Sequence, residues 1–427
     1  MKNTKGINNI DNGNNSGVTD ITKIITKEKW KSINNIATLT YSFNRSIPEE
    51  YHYYKSDDHS KVFSLNNFQA RQAKRAMQSI SDVANIEFIE AQAEDVANVP
   101  IINVFLNQPI GGYAYYPNAS NFSPICINSR LDINLTPSAS NFGGHILTHE
   151  LLHTLGLKHT HNPVGLTKQE STMSYLSEHS SGADFDGHYA TSPQLYDIAA
   201  LQHHYGVNLN TRTGDTTYGF NSNTYRAYLT ATRFNDTLIF CAWDAGGTDT
   251  FDFSGYAQDQ IINLNAGHFS HVGGLKGNVS IAFGVTIENA IGGSGDDKII
   301  GNNADNILVG GLGADQIWGE NGSNIFRYHK TTDSETTSAD TLHDFNSDKD
   351  KLDLSPIIYG KNDIYLVDRF SFSGQTEIIE KYDKIKNMTY LMIDFDNNIY
   401  ETDMMIKIAG KQQLTLNNFI TSPQQIA

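Results

Sequence analysis

The sequence predicts two domains: an α+β domain, followed by an all-β domain in which parallel strands form a β-roll. Three observations support this prediction. Residues 149–159 read HELLHTLGLKH, which is typical of a buried helix that brings three histidines together. Strand and helix periodicities precede this stretch, and four consecutive nine-residue repeats begin at Gly292. We therefore assign residues 21–207 to the first domain and residues 208–427 to the second, with a polar, disordered segment at 1–20.

The composition restricts the classes of partner. The chain has 427 residues and a formal net charge of −16, which argues against nucleic acid and anionic membrane surfaces. No apolar run has the length of a membrane span, and the first residues lack the apolar core of a secretory signal peptide. Cys126 and Cys241 cannot build a disulfide framework, so we expect two small buried side chains. An acidic chain rich in Asp, Asn and Gly is better suited to hard cations.

The first domain begins with alternating and then helical patterns. The run TLTYSF at 38–43 alternates polar and apolar side chains and predicts a half-buried strand. Residues 65–84 predict a long amphipathic helix whose apolar face includes Phe68, Met77 and Ile80. Further strands and a later helix are predicted at residues 86–90, 101–106 and 195–205.

The histidine stretch predicts a catalytic metal site. His149 and His153 lie four residues apart on a helix and project from one face, so both can bind the same ion. Gly156 can adopt the positive φ that ends a helix, which lets the chain turn back and supply His159 as a third ligand. Three neutral nitrogen ligands leave a zinc ion one open position, as catalytic zinc sites require. Glu150 is placed to act as a general base on a water molecule.

The stretch 149–159, with the run STMSY at 171–175, resembles the metzincin metallopeptidases and their methionine turn. Together with the Gly-rich C-terminal half, it is similar to the serralysins, which are secreted bacterial zinc proteases with RTX repeats. The resemblance implies a metzincin-like catalytic domain in which Met173 lies beneath the zinc. It also implies that Tyr175 ligates zinc at rest and assists the oxyanion during catalysis, and that residues 1–20 are a propeptide. This chain lacks the family's usual Pro-Gly pair after the third histidine, and we interpret His161 as a solvated loop histidine.

The same resemblance implies a strand that borders the cleft and pairs with an extended substrate. Tyr113, Ala114 and Tyr115 occupy that place, in the run GYAYYP at 112–117. Without the family, these tyrosines are equally well interpreted as the packing of an ordinary edge strand, so both interpretations stay open.

The four repeats are GGSGDDKII, GNNADNILV, GGLGADQIW and GENGSNIFR. Each begins with Gly, has Asp or Asn at its sixth position and a large apolar residue at its eighth, which is the RTX pattern of a parallel β-roll. Glycines permit left-handed turns, turn carbonyls and sixth-position carboxylates bind calcium, and the eighth residue points inward. If each repeat is half a turn, Asp297 and Asp315 line one edge, and Asn306 and Asn324 line the other. We therefore expect tighter calcium binding on the aspartate edge.

The family resemblance also implies calcium-binding segments outside the repeats. Without the family, the aspartates of these Gly-rich loops are ordinary turn residues. The sequence thus predicts several structural calcium ions beside one catalytic zinc. The candidate calcium ligands are Arg212, Gly214, Thr216, Asp244, Gly246, Gly247, Asp249, Thr286, Glu288, Gly293, Gly295, Asp297, Gly311, Gly313 and Asp315.

These features predict a secreted zinc endopeptidase that cleaves extracellular polypeptides and is stabilised by calcium in its C-terminal domain. The resemblance implies a monomer that leaves the cell through type I secretion machinery, with a small protein inhibitor as a further partner. Two alternatives stay open: a calcium-stabilised binding or adhesion protein with a vestigial zinc site, and a metallohydrolase that acts on something other than protein. The intact histidines, Glu150 and Tyr175 argue against a vestigial site.

Overall fold

The computed structural model describes residues 20–43, 62–92, 95–358, 364–371, 374–395 and 402–422. The predicted propeptide at 1–20 lies outside these ranges except for Asp20, which accepts a hydrogen bond from Thr22 N and caps a short 3-10 helix, Ile21–Lys23. The chain divides into two compact units. The first contains the described residues up to Thr213 together with Ile239–Ala245 and Gly277–Val285, and the second contains Gly214–Leu238, Gly246–Lys276 and the described residues from Thr286 onwards.

The first unit packs helices against a mixed sheet. Its α-helices are α1 (Asn67–Val83), α2 (Asp132–Leu135), α3 (Phe142–Thr154) and α4 (Leu195–Tyr205). Its first strands are β1 (Ala37–Ser42), β2 (Val62–Phe63), β3 (Ile86–Glu90), β4 (Val99–Val104), β5 (Gly112–Ala114) and β6 (Ile125–Asn128). They lie in the order β3-β1-β4-β6-β5, with β2 paired to β4. Strand β5 is antiparallel to β6 and forms one edge of the sheet, so its outer side is open to an extended chain.

The predicted strands at 38–43 and 86–90 and the helix at 195–205 are confirmed, and the strand predicted at 101–106 begins two residues earlier. One detail of α1 was predicted wrongly: Phe68 is 59% exposed. The buried face of α1 instead runs through Gln69 and Ala73. Phe68 precedes Ala73 by five residues, or about 140° of rotation, so both cannot face the sheet. Gln69 tolerates burial because its Nε2 donates to Asn103 Oδ1 at 2.7 Å.

The strands that follow residue 213, in either unit, are β7 (Thr217–Gly219), β8 (Phe240–Ala242), β9 (Thr250–Asp252), β10 (Ile261–Asn263), β11 (Phe269–Ser270), β12 (Val279–Ile281), β13 (Asn289–Ile291), β14 (Lys298–Asn302), β15 (Ile307–Val309), β16 (Gln316–Glu320), β17 (Ile325–Arg327), β18 (Asp340–Leu342), β19 (Lys351–Asp353), β20 (Ile364–Leu366), β21 (Thr376–Asp383), β22 (Met388–Asp394), β23 (Met404–Ala409) and β24 (Phe419–Ile420). Short 3-10 helices occur at Glu178–Ser181, Ala227–Leu229, Thr331–Ser334 and Leu416–Asn418.

Two of these strands, β8 and β12, belong to the first unit, which differs from the predicted single boundary at 207. They pair in parallel with each other. The ring of Phe283, just after β12, packs edge-on against Tyr196 of α4 at 5.7 Å. Trp243, just after β8, donates from Nε1 to Asn208 O at 3.1 Å. These contacts attach both segments to the first unit. No local sequence pattern predicts that the chain returns to the first unit at these two segments.

Alternate strands of the repeats lie in two different sheets and pair in parallel within each, whereas β22 pairs in antiparallel with β21 and β23. One sheet has the order β10-β14-β16-β18-β23-β22-β21-β20, and the other has the order β24-β19-β17-β15-β13-β9-β7. Ile299 pairs with Ile317, and Leu308 pairs with Phe326. All four of these eighth-position side chains are buried, as predicted. Partners lie two repeats apart in sequence, so two nonapeptides complete one turn of this coil.

The two cysteines agree with the expectation from the sequence. Cys126 and Cys241 are both buried free thiols. Among the described residues, no helix combines the length and the apolar character needed to cross a membrane.

Candidate active site

Helix α3 carries its functional side chains into the interior of the first unit. Asn141 caps the helix by accepting a hydrogen bond from Gly144 N at 3.0 Å. The helix is buried on all sides rather than along one apolar stripe. Two glycines permit this close packing, since a Cβ at Gly143 would lie 2.1 Å from Ile133 O and one at Gly144 would lie 2.1 Å from Ser138 O.

Three histidines converge as predicted. His149 Nε2 and His153 Nε2 lie 3.2 and 3.0 Å from His159 Nε2. On the other side of the rings, His149 Nδ1 lies 2.9 Å from Thr172 O and His153 Nδ1 lies 2.8 Å from Leu157 O. Because these carbonyls can only accept, Nδ1 carries the proton and the Nε2 lone pairs face one another. Unpaired acceptors in this arrangement fit a shared cation, and the group qualifies as a metal-binding cluster.

The electrostatics of the cluster suit a metal ion as well. Burial lowers the pKa of His149 well below its usual value and that of His153 to about 4, so both are neutral, as metal ligands must be. Glu150 is also buried, and among the described residues its Oε2 has no hydrogen-bond partner. Burial raises the pKa of Glu150 to about 8, whereas a bound cation would lower it. The three imidazoles and this free carboxylate oxygen therefore fit a catalytic zinc ion.

The turn after α3 depends on Gly156, as the sequence predicts. Its φ is +88°, in the left-handed region. A Cβ at this position would lie 2.6 Å from Thr26 Oγ1, so glycine is needed for space as well as for conformation. The next residue, Leu157, supplies the carbonyl that orients His153, and the chain then reaches His159. One turn therefore positions two of the three ligands.

Residues 24–30, which we call the N-terminal strap, hold this turn in place. Ile25 forms an antiparallel bridge with Leu157. The side chain of Trp30 is buried. No motif marks this segment in the sequence, and the available signal was Trp30, one of only three tryptophans in the chain. The hydrogen bonds that join strap and turn run from Thr26 N to Gly156 O (2.7 Å), from Lys158 N to Ile24 O (2.8 Å) and from Trp30 Nε1 to Thr154 O (2.7 Å).

We predict that the strap is required for metal affinity. A chain that begins at residue 20 keeps the strap, whereas one that begins at residue 31 should bind zinc about 10 to 100-fold more weakly, as expected when groups that orient ligands are lost. Competition with a chromophoric chelator measures this difference. Thr26→Pro, which removes one N–H from the bridge, should weaken zinc binding in the same direction without a truncation. Equal zinc affinity in all these chains would show that the strap has no role in the site.

The methionine turn is anchored by Asp197, a buried residue of α4. Asp197 accepts hydrogen bonds from Ser171 Oγ at 2.6 Å and from Thr172 N at 2.7 Å. Thr172 O is in turn the partner of His149 Nδ1, so Asp197 acts on the ligand through the backbone of a single residue. Met173 is fully buried in this turn. No local sequence pattern identifies Asp197, because its role depends on a contact between distant segments.

Tyr175 lies at the mouth of the cluster. Its ring stacks on His149 at 5.7 Å with an interplanar angle of 13°. On another side it stacks on His161 at 4.8 Å and 20°. His161 lies in a turn, as expected, but it is half-buried rather than fully solvated, and its Nδ1 is buried without a partner in the described part of the chain. Packing against the Tyr175 ring accounts for this burial. Tyr175 itself remains 62% exposed.

The residues predicted to bind substrate lie on and beside the edge strand β5. Tyr113 and Ala114 are in β5, and Tyr113 pairs with Cys126 of β6. The rings of Tyr113 and Tyr115 lie 5.9 Å apart in an edge-on arrangement. Tyr116, which was not predicted as a site residue, packs edge-on against His153 at 5.4 Å. The position of Tyr116 directly after the edge strand was the sequence feature that could have identified it as a site residue. The half-exposed strand thus leads from the sheet edge to the histidine cluster.

Several predicted calcium residues of the second unit meet in one place. Thr216 N donates to Asp249 Oδ1 at 2.8 Å, and Asp249 N donates to Glu288 Oε2 at 2.7 Å. A Cβ on Gly247 would lie 2.5 Å from the carbonyl carbon of Gly214. Three segments that are distant in sequence are therefore brought together. Within the same unit, Gly246 has a φ of +139° and Thr286 is exposed two residues before Glu288.

Arg212 and Asp244 are predicted calcium residues that fall in the first unit. Arg212 has a φ of +51°, and its carbonyl accepts a hydrogen bond from Ala245 N at 3.2 Å. Its guanidinium pairs with the buried Asp82 at 3.1 Å and donates to Trp243 O at 2.8 Å. The side chain of Arg212 is thus held by an ion pair and a hydrogen bond within the protein. Only its backbone carbonyl is left for the predicted role as a calcium ligand.

The turns of the repeats stack on one another. A Cβ on Gly311 would lie 2.0 Å from Gly293 O, and one on Gly313 would lie 2.2 Å from Gly295 O. Gly311 and Gly313 have φ values of +104° and +120°. Because neither the space nor the backbone conformation admits a side chain, glycine is required at these two repeat positions.

The C-terminal half of the chain matches a known family. Residues 207–421 match the family described as "Peptidase M10 serralysin C terminal". Serralysin C of Dickeya chrysanthemi is 44% identical over 409 residues, which cover 89% of this chain and 84% of that protein. Metalloprotease AprA of Pseudomonas entomophila (strain L48) is 41% identical over 422 residues, with 90% and 86% covered. Serralysin of Proteus mirabilis is 40% identical over 425 residues, with 88% and 86% covered.

The site combines a buried helix, a glycine turn, three converging imidazoles and an adjacent glutamate. This combination defines a zinc metalloendopeptidase. The similarity extends over nearly the whole chain and includes both units. The chain belongs to the serralysin family. The predicted family and enzyme class are confirmed.

Proposed function

We propose that this chain cleaves extracellular polypeptides with the histidine cluster as its catalytic centre. The observation that carries the proposal is the convergence of three Nε2 lone pairs beside a buried carboxylate oxygen without a partner. His149, His153 and His159 would hold the zinc ion. When bound, zinc supplies Lewis acidity that polarises the scissile carbonyl and makes water more acidic.

Glu150 acts as the general base and then as the general acid. Its free Oε2 accepts a proton from the attacking water and afterwards delivers that proton to the leaving amine nitrogen. A carboxyl group whose pKa burial has raised is a stronger base than an exposed one, which suits this transfer. The backbone of α3 fixes Glu150 between two ligands, so the base and the metal ligands share one rigid element.

Tyr175 and strand β5 act on the substrate: the first stabilises the oxyanion and the second binds the peptide. The exposed phenol of Tyr175 can rotate between a resting position at the cluster and a position where its O–H donates to the developing oxyanion. An extended peptide adds to the free edge of β5, where Tyr113, Ala114 and Tyr115 contact it. Main-chain pairing of this kind accepts many sequences, which suits a protease that digests unfolded proteins.

The C-terminal unit acts as a calcium-stabilised β-roll. The parallel sheets with their 18-residue repeat, the glycine turns and the sixth-position aspartates support this assignment. We further propose export through type I secretion machinery, with residues 1–20 removed as a propeptide and the mature enzyme acting as a monomer. Calcium is scarce inside cells, so the roll would complete its folding only outside. A small protein inhibitor would reach the cleft along β5.

The test of the proposed function is hydrolysis of a denatured protein by the calcium-loaded chain without residues 1–19. Activity should disappear on chelation and return with zinc, and Tyr175→Phe should lower kcat by about tenfold or more while zinc stays bound, because one oxyanion donor is lost. Tyr225→Phe, at a residue that is 90% exposed, is the matched control and should be neutral. A zinc-loaded wild-type chain that cleaves no protein would instead favour a binding protein.

A further inference from the structure

One row of side chains crosses the outer face of the eight-stranded sheet in the second unit. The strand register places these residues side by side, one from each of six neighbouring strands. Their sequence neighbours Ile299, Ile317, Leu391 and Ile406 are buried, so the alternation along each strand directs the row to the opposite face. Because neighbouring strands lie about 4.8 Å apart, the row is about 24 Å long. We call it the lysine row, and in order it contains Lys298, Gln316, Thr341, Lys407, Tyr390 and Lys381.

The row is positively charged, although the whole chain has a net charge of −16. Lys298 and Lys381 are exposed, and Lys407 is half-buried. Among the described residues, no carboxylate lies within ion-pair distance of these three ammonium groups, in contrast to Lys74, which pairs with Glu90. Charges more than about 8 Å apart are largely screened at physiological salt. A ligand on this face therefore interacts with the lysines rather than with the net negative charge.

Stacked side chains hold one end of the row in place. Lys298 Nζ lies 4.8 Å from the centroid of the Trp318 ring, and Trp318 stacks on His343 at 3.9 Å with an interplanar angle of 3°. His343 Nε2 lies 2.6 Å from Gln316 Oε1. Because an amide oxygen can only accept, His343 donates in this bond, and the amide NH₂ of Gln316 is left to donate to a ligand. Such a fixed arrangement loses little side-chain entropy on binding.

The other end of the row is built around Tyr390, which lies between Lys407 and Lys381. A further lysine approaches from the hairpin turn, where Lys386 Nζ lies 5.7 Å from the centroid of the Tyr390 ring. Asp383 is close by on the same strand as Lys381, but its Oδ1 accepts hydrogen bonds from the backbone of that turn, from Ile385 N at 2.8 Å and Lys386 N at 3.2 Å. The positive charge of this end is therefore kept.

The spacing of the lysines indicates the kind of ligand. Counting strands, Lys298 lies about 14 Å from Lys407, and Lys407 lies about 10 Å from Lys381. The side chains between them are an amide and two hydroxyl groups. This pattern matches a linear polymer with widely spaced anionic groups and neutral hydroxyls between them.

Other extended or anionic partners match the row less well. Duplex nucleic acid carries about one charge per 1.7 Å, and single strands require open aromatic faces, whereas the Trp318 ring is packed against His343 and Lys298. An extended peptide pairs with the edge of a sheet rather than with its face. A membrane-binding surface needs an apolar side to insert, and the lysine row is polar throughout.

We propose that the lysine row binds a linear acidic polysaccharide. Carboxylates of the polymer pair with Lys298, Lys407 and Lys381, and its hydroxyl groups form hydrogen bonds with the polar side chains between them. All residues of the row belong to the second unit, so this binding does not depend on the proposed proteolysis. It would hold the enzyme on a polysaccharide matrix.

Binding of the full, calcium-loaded chain to end-immobilised hyaluronan tests the proposal. Hyaluronan is a linear polysaccharide with a carboxylate on every second sugar, and neutral dextran is the control polymer. Biolayer interferometry at physiological salt should show binding to hyaluronan only. Lys298→Gln, Lys381→Gln and Lys407→Gln should each weaken it by about two- to fivefold, as expected for an exposed ion pair.

The triple variant should bind about tenfold or more weakly, because well-separated sites contribute independently. Lys276→Gln, which changes an exposed lysine outside the row, is the matched control and should bind like the wild type. The melting temperature with calcium reports whether each variant is folded, and the three single variants decide the matter if the triple variant is not.

Four results would overturn the proposal. They are wild-type affinity in the folded lysine variants, equal binding to dextran, no binding of the wild type to hyaluronan, and tighter binding to a single-stranded oligonucleotide or to phosphatidylserine vesicles. The last result would assign the row to a nucleic acid or to a membrane surface instead.

Discussion

Glu150→Gln should abolish most of the proteolytic activity and leave zinc bound. The replacement keeps the shape of the side chain but cannot accept a proton at neutral pH, so the general base is lost. Loss of a positioned base lowers kcat by about 10² to 10⁴-fold. The three histidines are untouched, and the buried oxygen of Glu150 that has no partner makes no structural hydrogen bond that the variant would break. Steady-state kinetics together with the zinc content of the same sample measure both quantities.

The matched control is Glu87→Gln, which makes the same chemical change on the exposed edge strand β3. It should keep wild-type kcat. A decrease of less than tenfold in Glu150→Gln, with zinc at full occupancy, would mean that another group accepts the proton. A loss of zinc from Glu150→Gln would mean that the carboxylate contributes to metal binding.

Asp197→Ala should weaken both the fold and the zinc site. The substitution leaves two backbone N–H groups, of Thr172 and Gln194, and the Ser171 hydroxyl without their acceptor in a buried place. Each unsatisfied buried group costs about 1 to 3 kcal/mol, so we expect the free energy of unfolding to decrease by about 3 kcal/mol or more. Because the same turn orients His149, zinc affinity should also decrease by about 10 to 100-fold.

Asp197→Asn separates these effects from a general loss of packing. Its amide oxygen can accept from both N–H groups, and its amide nitrogen can donate to Ser171 Oγ, so zinc affinity should return close to the wild-type value. Denaturant unfolding and zinc competition should be measured on both variants. An alanine variant that is destabilised but binds zinc normally would limit Asp197 to a purely structural role.

The parts of the site that depend on local geometry could be predicted from the sequence. The spacing of His149 and His153 fixes their common helix face, and the requirement for a positive φ identifies Gly156. In the repeats, the apolar eighth positions and the sixth-position acids or amides follow from an 18-residue period that the strand register reproduces. In each case the contact lies within one helical turn or follows from the regular spacing of the repeats.

The parts that the sequence did not reveal depend on contacts between distant segments. The strap at 24–30 bonds to a turn more than 120 residues later, and Asp197 bonds to the methionine turn from another helix. His161 could not be assigned from its position in the loop because its environment is the ring of Tyr175. Asp340 and Asp350 accept hydrogen bonds from the last two repeats but lie outside the repeat pattern, so the repeat motif does not include them.

The hydrogen bonds that join one turn of the repeats to the next all run in one direction: Asp297 N donates to Asp315 Oδ1, Asp315 N to Asp340 Oδ1 and Asn324 N to Asp350 Oδ1. In every step the backbone of an earlier turn relies on the side chain of a later one, so the coil must be closed from its C-terminal end. A ribosome delivers the chain in the opposite order. A partly made or prematurely terminated chain would therefore stop on a turn whose amides have no acceptor, and it could not close the coil even where calcium is plentiful. Only a chain that carries its C-terminal end can become compact after it leaves the cell.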